Sequence, residues 1–537
     1  MALPAYFGQS PLRHKAFRVF YAGAIGTALG YTMQTTVAAW LMATLSTSPV
    51  MVALVQTAST APALLFGLFG GAMADIVDRR KVIVATQVVL IGATALLGAV
   101  TLLGWVGPAM LLALTFVVGA GFAFYQPAQQ ASVNDLVTRA ELSQAVSLNA
   151  VAFNVSRAIG PALAGAVTAW IGSGSALFAS AAFFAVMVVA VRSLKPREIA
   201  LPGVPERLLS GVQSGLRYAR HSPSLRAFIL RTLAFTACAS ALWALLPVIA
   251  RDQLGMGAGG YGFLFGMFGI GAVTGAISIP HQLSRRSLNR VVYAGTVLWA
   301  MACLLIASST FAALAAAGTF CAGAAWVTVH ASLSAGTQSS VPGWVRARAV
   351  AMNLVSVQAC LAIGSPLWGL VASWTDTRVA IALSAIALFV LIMLVRDVRV
   401  RMGSEDDVTP GSQLPALALT AEPEPDDGPV LIQVEYQIDA ADRETFLHAI
   451  AKVGPTRQRN GATSWRVFRD LEVEGRFVER YIIESWAEYV RLRSRMTMAD
   501  SHLQQRVAEL QRADVPIRVS RLIGVTAESG GAAEPRP

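Results

Sequence analysis

Residues 145–167 read AVSLNAVAFNVSRAIGPALAGAV, and residues 349–371 read AVAMNLVSVQACLAIGSPLWGLV. Ala145, Val146, Asn149, Ala158, Ile159, Gly160, Gly165 and Val167 return as Ala349, Val350, Asn353, Ala362, Ile363, Gly364, Gly369 and Val371, all at one offset of 204 residues. Gly71 and Gly275 keep the same offset. One identity between two apolar helices means little, but a single ungapped offset held over this distance marks a duplication. Parallel repeats of this kind are a transporter architecture, with substrate held between the halves near the bilayer midplane.

The bulk composition agrees. Of 537 residues, 55% are hydrophobic and 14% charged, against about 25% charged in soluble domains. The apolar excess sits in residues 17–395, where apolar stretches of about 20 residues recur, the length of one helical crossing. Spans are predicted near 17–45, 50–74, 82–103, 108–130, 142–169, 174–192, 226–250, 259–281, 290–309, 311–335, 347–373 and 378–395. Only Ser308-Ser309-Thr310 separates the ninth from the tenth. The expected fold is an all-α polytopic membrane protein of twelve helices in two six-helix repeats, followed by a small α+β domain. The expected segments are 1–192, a linker 193–225, 226–401, a flexible linker 402–429, a domain 430–526 and a disordered tail 527–537.

The net charge of +11 reads as topogenic rather than as a nucleic-acid footprint. Arg13, Lys15, Arg18, Arg79, Arg80, Lys81, Arg139, the 192–226 cluster, Arg285, Arg286, Arg290, Arg346, Arg348, Arg396, Arg399 and Arg401 all fall on one side of the spans. Arg251 and Arg378 fall on the other, 22 against 2. The positive-inside rule then places both termini in the cytosol, in the inner (plasma) membrane. Met1 to Ser10 lacks a cleavable signal pattern, so the first span is expected to stay as helix 1. Cys238, Cys303, Cys321 and Cys360 lie within apolar spans and read as small core residues. Neither a metal site nor a cofactor is expected.

Several residues carry chemistry. Arg157 sits near mid-membrane, where a cation is costly and is usually functional or paired, and its repeat counterpart is Leu361. Asn154, Arg157 and Pro161 share one helix face. Gln34 with Tyr31 and Thr35 on the first span, Gln126 and His330 at equivalent positions of the two halves, and Gln358 complete the substrate or coupling candidates. His330 can titrate near neutrality. Trp40, Tyr125, Trp243, Trp326 and Trp368 supply aromatic walls. Gly160, Pro161 and Gly165, with Gly364, Pro366 and Gly369, read as packing and bending positions. In the tail the order is β-α-β-β-α-β, a ferredoxin-like pattern. Its first helix is expected over Asp442–Val453, and its last helix to break near Thr497.

Residues 71–81, Gly71-Ala-Met-Ala-Asp75-Ile-Val-Asp78-Arg79-Arg80-Lys81, resemble the second-to-third helix signature of the major facilitator superfamily. Ile76 and Asp78 depart from it. The resemblance implies a conformational latch through Gly71, Asp75, Arg79 and Arg80, with Arg346 or Arg348 as partner. Residues 154–165 resemble the superfamily's antiporter motif, with one extra residue before the last glycine. Together with Gln34, Trp40-Leu41, Ser48-Pro49 and Leu136-Val137, they resemble the transmembrane secretion effector branch, which includes enterobactin-exporter-like proteins. That implies proton-driven, alternating-access efflux of a drug, siderophore or metabolite. An importer or facilitator, or a membrane-anchored enzyme, are the competing readings. Arg495-Met-Thr-x-Ala-Asp500-x-His502 resembles antibiotic-biosynthesis-monooxygenase-like domains, which implies pairing of two copies through the tail and makes Trp465 and His502 the catalytic candidates there.

Overall fold

The computed structural model describes residues 10–138, 141–193, 208–411 and 423–525. Arg139, Lys195, Arg197, Arg207, the 527–537 tail and the side chain of Asp75 lie outside the described residues. The helices α1 (Lys15–Leu45), α2 (Pro49–Ile76), α3 (Arg79–Leu102), α4 (Pro108–Leu136) and α5 (Leu142–Arg192) form the first half. After a linker helix α6 (Leu208–His221) come α7 (Pro223–Val248), α8 (Ala258–Arg285), α9 (Leu288–Ser308), α10 (Ala312–Ser339), α11 (Gly343–Trp374) and α12 (Thr377–Leu394).

Ten of these helices are long and apolar enough to cross a membrane, and one of the ten runs 49 residues, Gln144–Arg192. At about 1.5 Å per residue that length is twice a bilayer core of about 30 Å, so it makes two crossings. The division is Gly172, whose φ of 85° suits a residue without a Cβ. α1 adds a twelfth crossing of 31 residues. Its Gly, Thr, Tyr and Gln side chains make it less apolar than the ten.

The outer surface is what a lipid-facing bundle requires. Leu65, Ile277, Met301, Leu367 and Leu394 are exposed along helix flanks. At the arginine-poor end, Trp105, Trp170 and Trp374 are 74%, 88% and 75% exposed. Indoles favour this headgroup level, apolar ring one way and N–H the other.

Two compact units divide the chain: residues 1–202, 230–333 and 353–399, and residues 203–229, 334–352 and 400–537. The second holds a four-stranded antiparallel sheet of β1 (Val430–Gln437), β2 (Ala462–Arg469), β3 (Arg476–Ile483) and β4 (Arg518–Ile523), in the order β2-β3-β1-β4. β1 is the central strand, pairing Val434 with Glu479 of β3 and with Val519 of β4. Helix α14 (Arg443–Asn460) follows β1, and α15 (Trp486–Arg495) and α16 (Met498–Ala508) follow β3. The break falls at Thr497, which caps α16 in a reciprocal pair with Asp500.

Two expectations are corrected here. Helix α14 does not stop at Val453; it runs through Gly454 and Pro455 to Asn460. The extra turns seat Arg457 on Glu479 at 3.1 Å and Asn460 on Asp500 at 3.1 Å. These contacts outweigh an interior proline, which costs about 3 kcal/mol. The linkers are not bare either. Ser404 caps a short helix α13 (Glu405–Val408), and Met498 N–H donates to the Thr409 carbonyl at 3.0 Å.

Candidate substrate site between the two helical halves

α5 carries Arg157 halfway between Leu142 and the Gly172 break. One turn earlier it presents Phe153, and the guanidinium carbon lies 5.9 Å from that ring centre. From the second half, α7 brings Trp243 to 5.3 Å from the same carbon. Both are cation–π distances. Trp243 in turn packs edge-on against Trp326 of α10 at 5.2 Å, and Trp326 lies against His330 at 4.1 Å. On the opposite side Tyr31 of α1 stacks on Phe122 of α4 at 3.9 Å, and its hydroxyl donates to the Ser59 carbonyl at 3.0 Å. Phe122 stacks in turn on Phe153 at 6.5 Å, which carries the run of rings from Tyr31 to Arg157. The result is one cation in an aromatic enclosure contributed by both halves.

Of the sequence candidates, Arg157 and His330 are brought into this cluster. His330 Nε2 also meets Thr236 Oγ1 at 3.5 Å. Gln126 and Gln358 are half-buried on their helices. Asn154 is exposed, and its amide donates to the Ala150 carbonyl of its own helix at 2.8 Å. Gln34 is fully buried, with neither amide atom partnered. Trp368 is a packing residue, its indole N–H donating to the Ala237 carbonyl at 2.8 Å. Phe122 and Phe153 were missed. Phe153 precedes Arg157 by four residues, a spacing that puts both on one face and could have flagged it.

The halves approach most closely beside this cluster and towards the arginine-poor end. A Cβ on Gly165 would fall 2.5 Å from the Gly262 Cα, and one on Gly262 would fall 2.7 Å from the Gly165 Cα. One helical level nearer the centre, a Cβ on Gly269 would sit 2.7 Å from the Ala158 Cα. Trp40 stacks on Tyr261 at 5.7 Å, and Arg251 donates to the Ser46 carbonyl at 3.1 Å. A Cβ on Gly369 would lie 2.7 Å from the Ala53 Cβ. Thr57 donates to the Ala362 carbonyl at 2.8 Å. Backbone can approach this closely only where side chains are absent. Gly160 and Gly364 pack within their own halves, against Thr32 and Ser240. Pro161 and Pro366 lie inside α5 and α11.

At the arginine-rich end, the 71–81 loop differs from expectation. Gly71 faces open space; the close approach in α2 is at Gly70, 3.0 Å from the Ala123 carbonyl for an added Cβ. Arg79 pairs within its own half, with Asp135 of α4 at 2.7 Å, and Arg80 donates to the Val191 carbonyl at 2.6 Å. Asp78, where the signature has glycine, caps α3 by accepting from the Arg80 N–H at 2.9 Å. Arg346 and Arg348 lie on the first turn of α11.

Glu141, buried at the start of α5, gathers Arg13 at 2.8 Å, His14 at 3.0 Å and the Thr138 hydroxyl at 2.7 Å. The Thr138 hydroxyl, then, against the opposing effect of burial, His14, the Thr138 N–H and Arg13, hold its carboxyl down at about 2. A depressed carboxyl contributes stability that is complete above the ordinary value and is lost as pH falls through the depressed one. Hydrogen exchange in residues 10–20, corrected for the intrinsic rate at each pH, is therefore expected to stay slow from neutrality to about pH 4.5 and to quicken below it. In Glu141→Gln it should be fast throughout; an unchanged acid profile in that variant would remove Glu141 as the tether.

In the second unit, Trp465 packs on Gly454 and donates to Glu479 Oε1 at 2.9 Å. Glu479 is fully buried and also accepts from Arg457 and Tyr436. Trp465 is thus held inside a satisfied polar network. His502 is half-exposed, 3.9 Å from Asp406, and among the described residues no contact joins it to Trp465.

Comparison with known proteins agrees with this geometry. Residues 7–529 match the sequence family described as transmembrane secretion effector, a span that takes in the sheet as well as the helices. The chain is 24% identical over 304 residues to an uncharacterised MFS-type transporter, y4rN, of Sinorhizobium fredii, covering 54% of this chain and 72% of that one. It is 25% identical over 206 residues to the multidrug efflux pump Tap of Mycolicibacterium fortuitum, 37% of this chain and half of that one. It is 23% identical over 266 residues to the staphyloferrin A transporter of Staphylococcus aureus, 49% of this chain and 67% of that one. Among solved structures, the nucleoside transporter NupG superposes with a TM-score of 0.59 at 14% identity, covering 72% of this chain and 99% of that one. The chain belongs to the transmembrane secretion effector family of major facilitator transporters. It is a membrane-integral transporter with a small-molecule substrate.

Proposed function

We propose that this protein exports a small molecule across the inner membrane by alternating access, with Arg157 at the centre of the substrate site. The observation that carries the reading is the Arg157–Trp243 contact. It places a mid-membrane cation of one half on an aromatic wall of the other, so cargo held there is gripped by both halves and released when they part. Closely packed inter-half glycines at the arginine-poor end describe a carrier closed on that side. By the positive-inside rule that side is the outer one, and both termini are cytosolic. Similarity to a multidrug efflux pump and a staphyloferrin A transporter supports export of a drug, siderophore or metabolite. The sequence puts no Asp or Glu deep in a span. His330, beside Arg157, is then the group through which a proton gradient would act. The order β2-β3-β1-β4 with α14 and α15–α16 as its two helical connections supports a ferredoxin-like tail, accessory to transport.

The test uses inverted vesicles with an imposed proton gradient, reading accumulation of fluorescent efflux substrates. Gradient-dependent accumulation is expected, and Arg157→Ala should reduce it at least tenfold with the protein still inserted and monodisperse. Normal accumulation by that variant would sink the site assignment. Depletion from the vesicles would reverse the transport direction.

A further inference from the structure

We propose that the transported compound carries an anionic head group that seats on Arg157, joined to a flat apolar body that lies against Trp243. The inference rests on the export reading above and adds to it the chemical class of the cargo.

The argument is one of unmatched donors. A guanidinium stacked on ring faces satisfies only its own two faces; its N–H groups point outward in the plane and need acceptors. The Arg157 guanidinium carbon lies over the Phe153 and Trp243 rings, at 5.9 and 5.3 Å from their centres. Among the described residues no carboxylate pairs with it and no acceptor is bonded to its edge. The neighbouring groups do not make up the deficit. The Trp243 indole N–H is buried without a partner. Gln34, one turn beyond Tyr31 on α1, is buried with both its amide N–H groups and its carbonyl oxygen unpartnered. Tyr31 spends its hydroxyl proton on the Ser59 carbonyl. The neighbourhood therefore holds unmet N–H donors on Arg157 and Trp243 and, among the described residues, no carboxylate to meet them.

A cation held mid-membrane with no protein partner is expensive, and a partner with excellent geometry is what makes such a charge tolerable. A carboxylate, phosphate or sulfonate fits because it offers several acceptors to a planar fork. A cationic cargo would meet like charge at close range with no carboxylate to offset it. The walls fix the rest of the molecule. Trp243 is half-buried and fronts a cluster of touching rings, with Trp326 buried 5.2 Å behind it and His330 4.1 Å from Trp326. Such a front suits an aromatic or other flat apolar body.

Full-length protein in lipid nanodiscs is titrated with a matched pair, 2-naphthoate and 2-naphthylmethylammonium, following tryptophan fluorescence. Wild type should bind the naphthoate at least tenfold more tightly than the ammonium. Arg157→Ala should remove that preference, and Arg157→Lys should keep part of it, because a point cation survives without the fork. Equal binding, a preference for the ammonium, or binding of neither probe by wild type would overturn the proposal. Accumulation in inverted vesicles is measured on the same variants. If Arg157→Ala loses transport while wild type prefers the ammonium, the export site stands and the anion assignment falls. If naphthoate preference depends on Arg157 but accumulation does not, the anion site stands and its place in the transport path falls.

Discussion

Gly165→Leu is expected to lower transport by about 100-fold while leaving the protein inserted and folded. Even the first added atom has nowhere to go, because a Cβ at Gly165 falls 2.5 Å from the Gly262 Cα and 2.8 Å from the Ala258 carbonyl. Overpacking a close contact costs about 1–3 kcal/mol, and the larger value is near a hundredfold change in population. The cost is not spread over the fold. α5 belongs to one half and α8 to the other, so the strain falls only on the state in which the halves meet at the arginine-poor end. The carrier would be held open there. Gly165→Ala should give a smaller loss, and Gly92→Leu, whose added Cβ meets nothing within 4 Å, should transport normally. Thiol labelling of cysteines placed in the Ser46 and Gly257 loops reads the opening directly. Wild-type rates in Gly165→Leu, or labelling no faster than in the parent, would contradict this reading of the α5–α8 contact.

The second large effect is expected at Glu488, on the first turn of α15. Its carboxylate is nearly buried and meets Arg495 at 2.6 Å, Arg491 at 2.8 Å and Arg217 of α6 at 3.0 Å. Arg495 in turn lies 4.4 Å below the Trp344 ring, and Arg459 lies 5.9 Å from the Tyr218 ring of α6. Glu488→Gln leaves Arg217 and Arg495 facing one another without an anion. Breaking a buried pair in this way costs about 3–5 kcal/mol. Arg491→Ala, on a half-exposed partner, should cost less than about 1 kcal/mol. Burial alone would push the Glu488 carboxyl up, but Arg495 and Arg491 overcome it and hold the group below its ordinary value. The stabilisation is therefore present above the ordinary carboxylate range and lost as pH falls through the depressed one. Hydrogen exchange in α6 and α15, compared between wild type and Glu488→Gln at neutral pH, checks the assignment. Equal protection would mean that Glu488 does not hold α6.

Much of this was legible in the chain because membrane helices are specified by length and hydropathy, quantities local to each segment. The 204-residue repeat and the Arg157 position needed no tertiary information. The packing partners did. Gly71 and Gly165 look alike in sequence, yet one faces open space and the other a neighbouring backbone. Which glycine is a contact depends on helix rotation, and α2 has a weak apolar asymmetry from which to read it. Arg79 chose Asp135, 56 residues away, because α4 returns beside α2. The apolar spacing of α14 ends at Val453, and the distant Glu479 and Asp500 carry the helix on through Pro455 to Asn460. Trp465 reads in the sequence as a catalytic candidate, but a buried carboxylate claims its N–H.

The exposed indoles Trp105, Trp170 and Trp374 lie at one end of the bundle, and most of the loop arginines at the other. The two ends therefore respond differently to membrane thickness. A rigid indole is tied to one depth, whereas an arginine on a long stem can reach for water over several ångströms. In a thinner or thicker bilayer the tryptophan end should hold its level and the arginine end absorb the mismatch. Both helical halves are then referenced to one leaflet, the one in which the indoles sit.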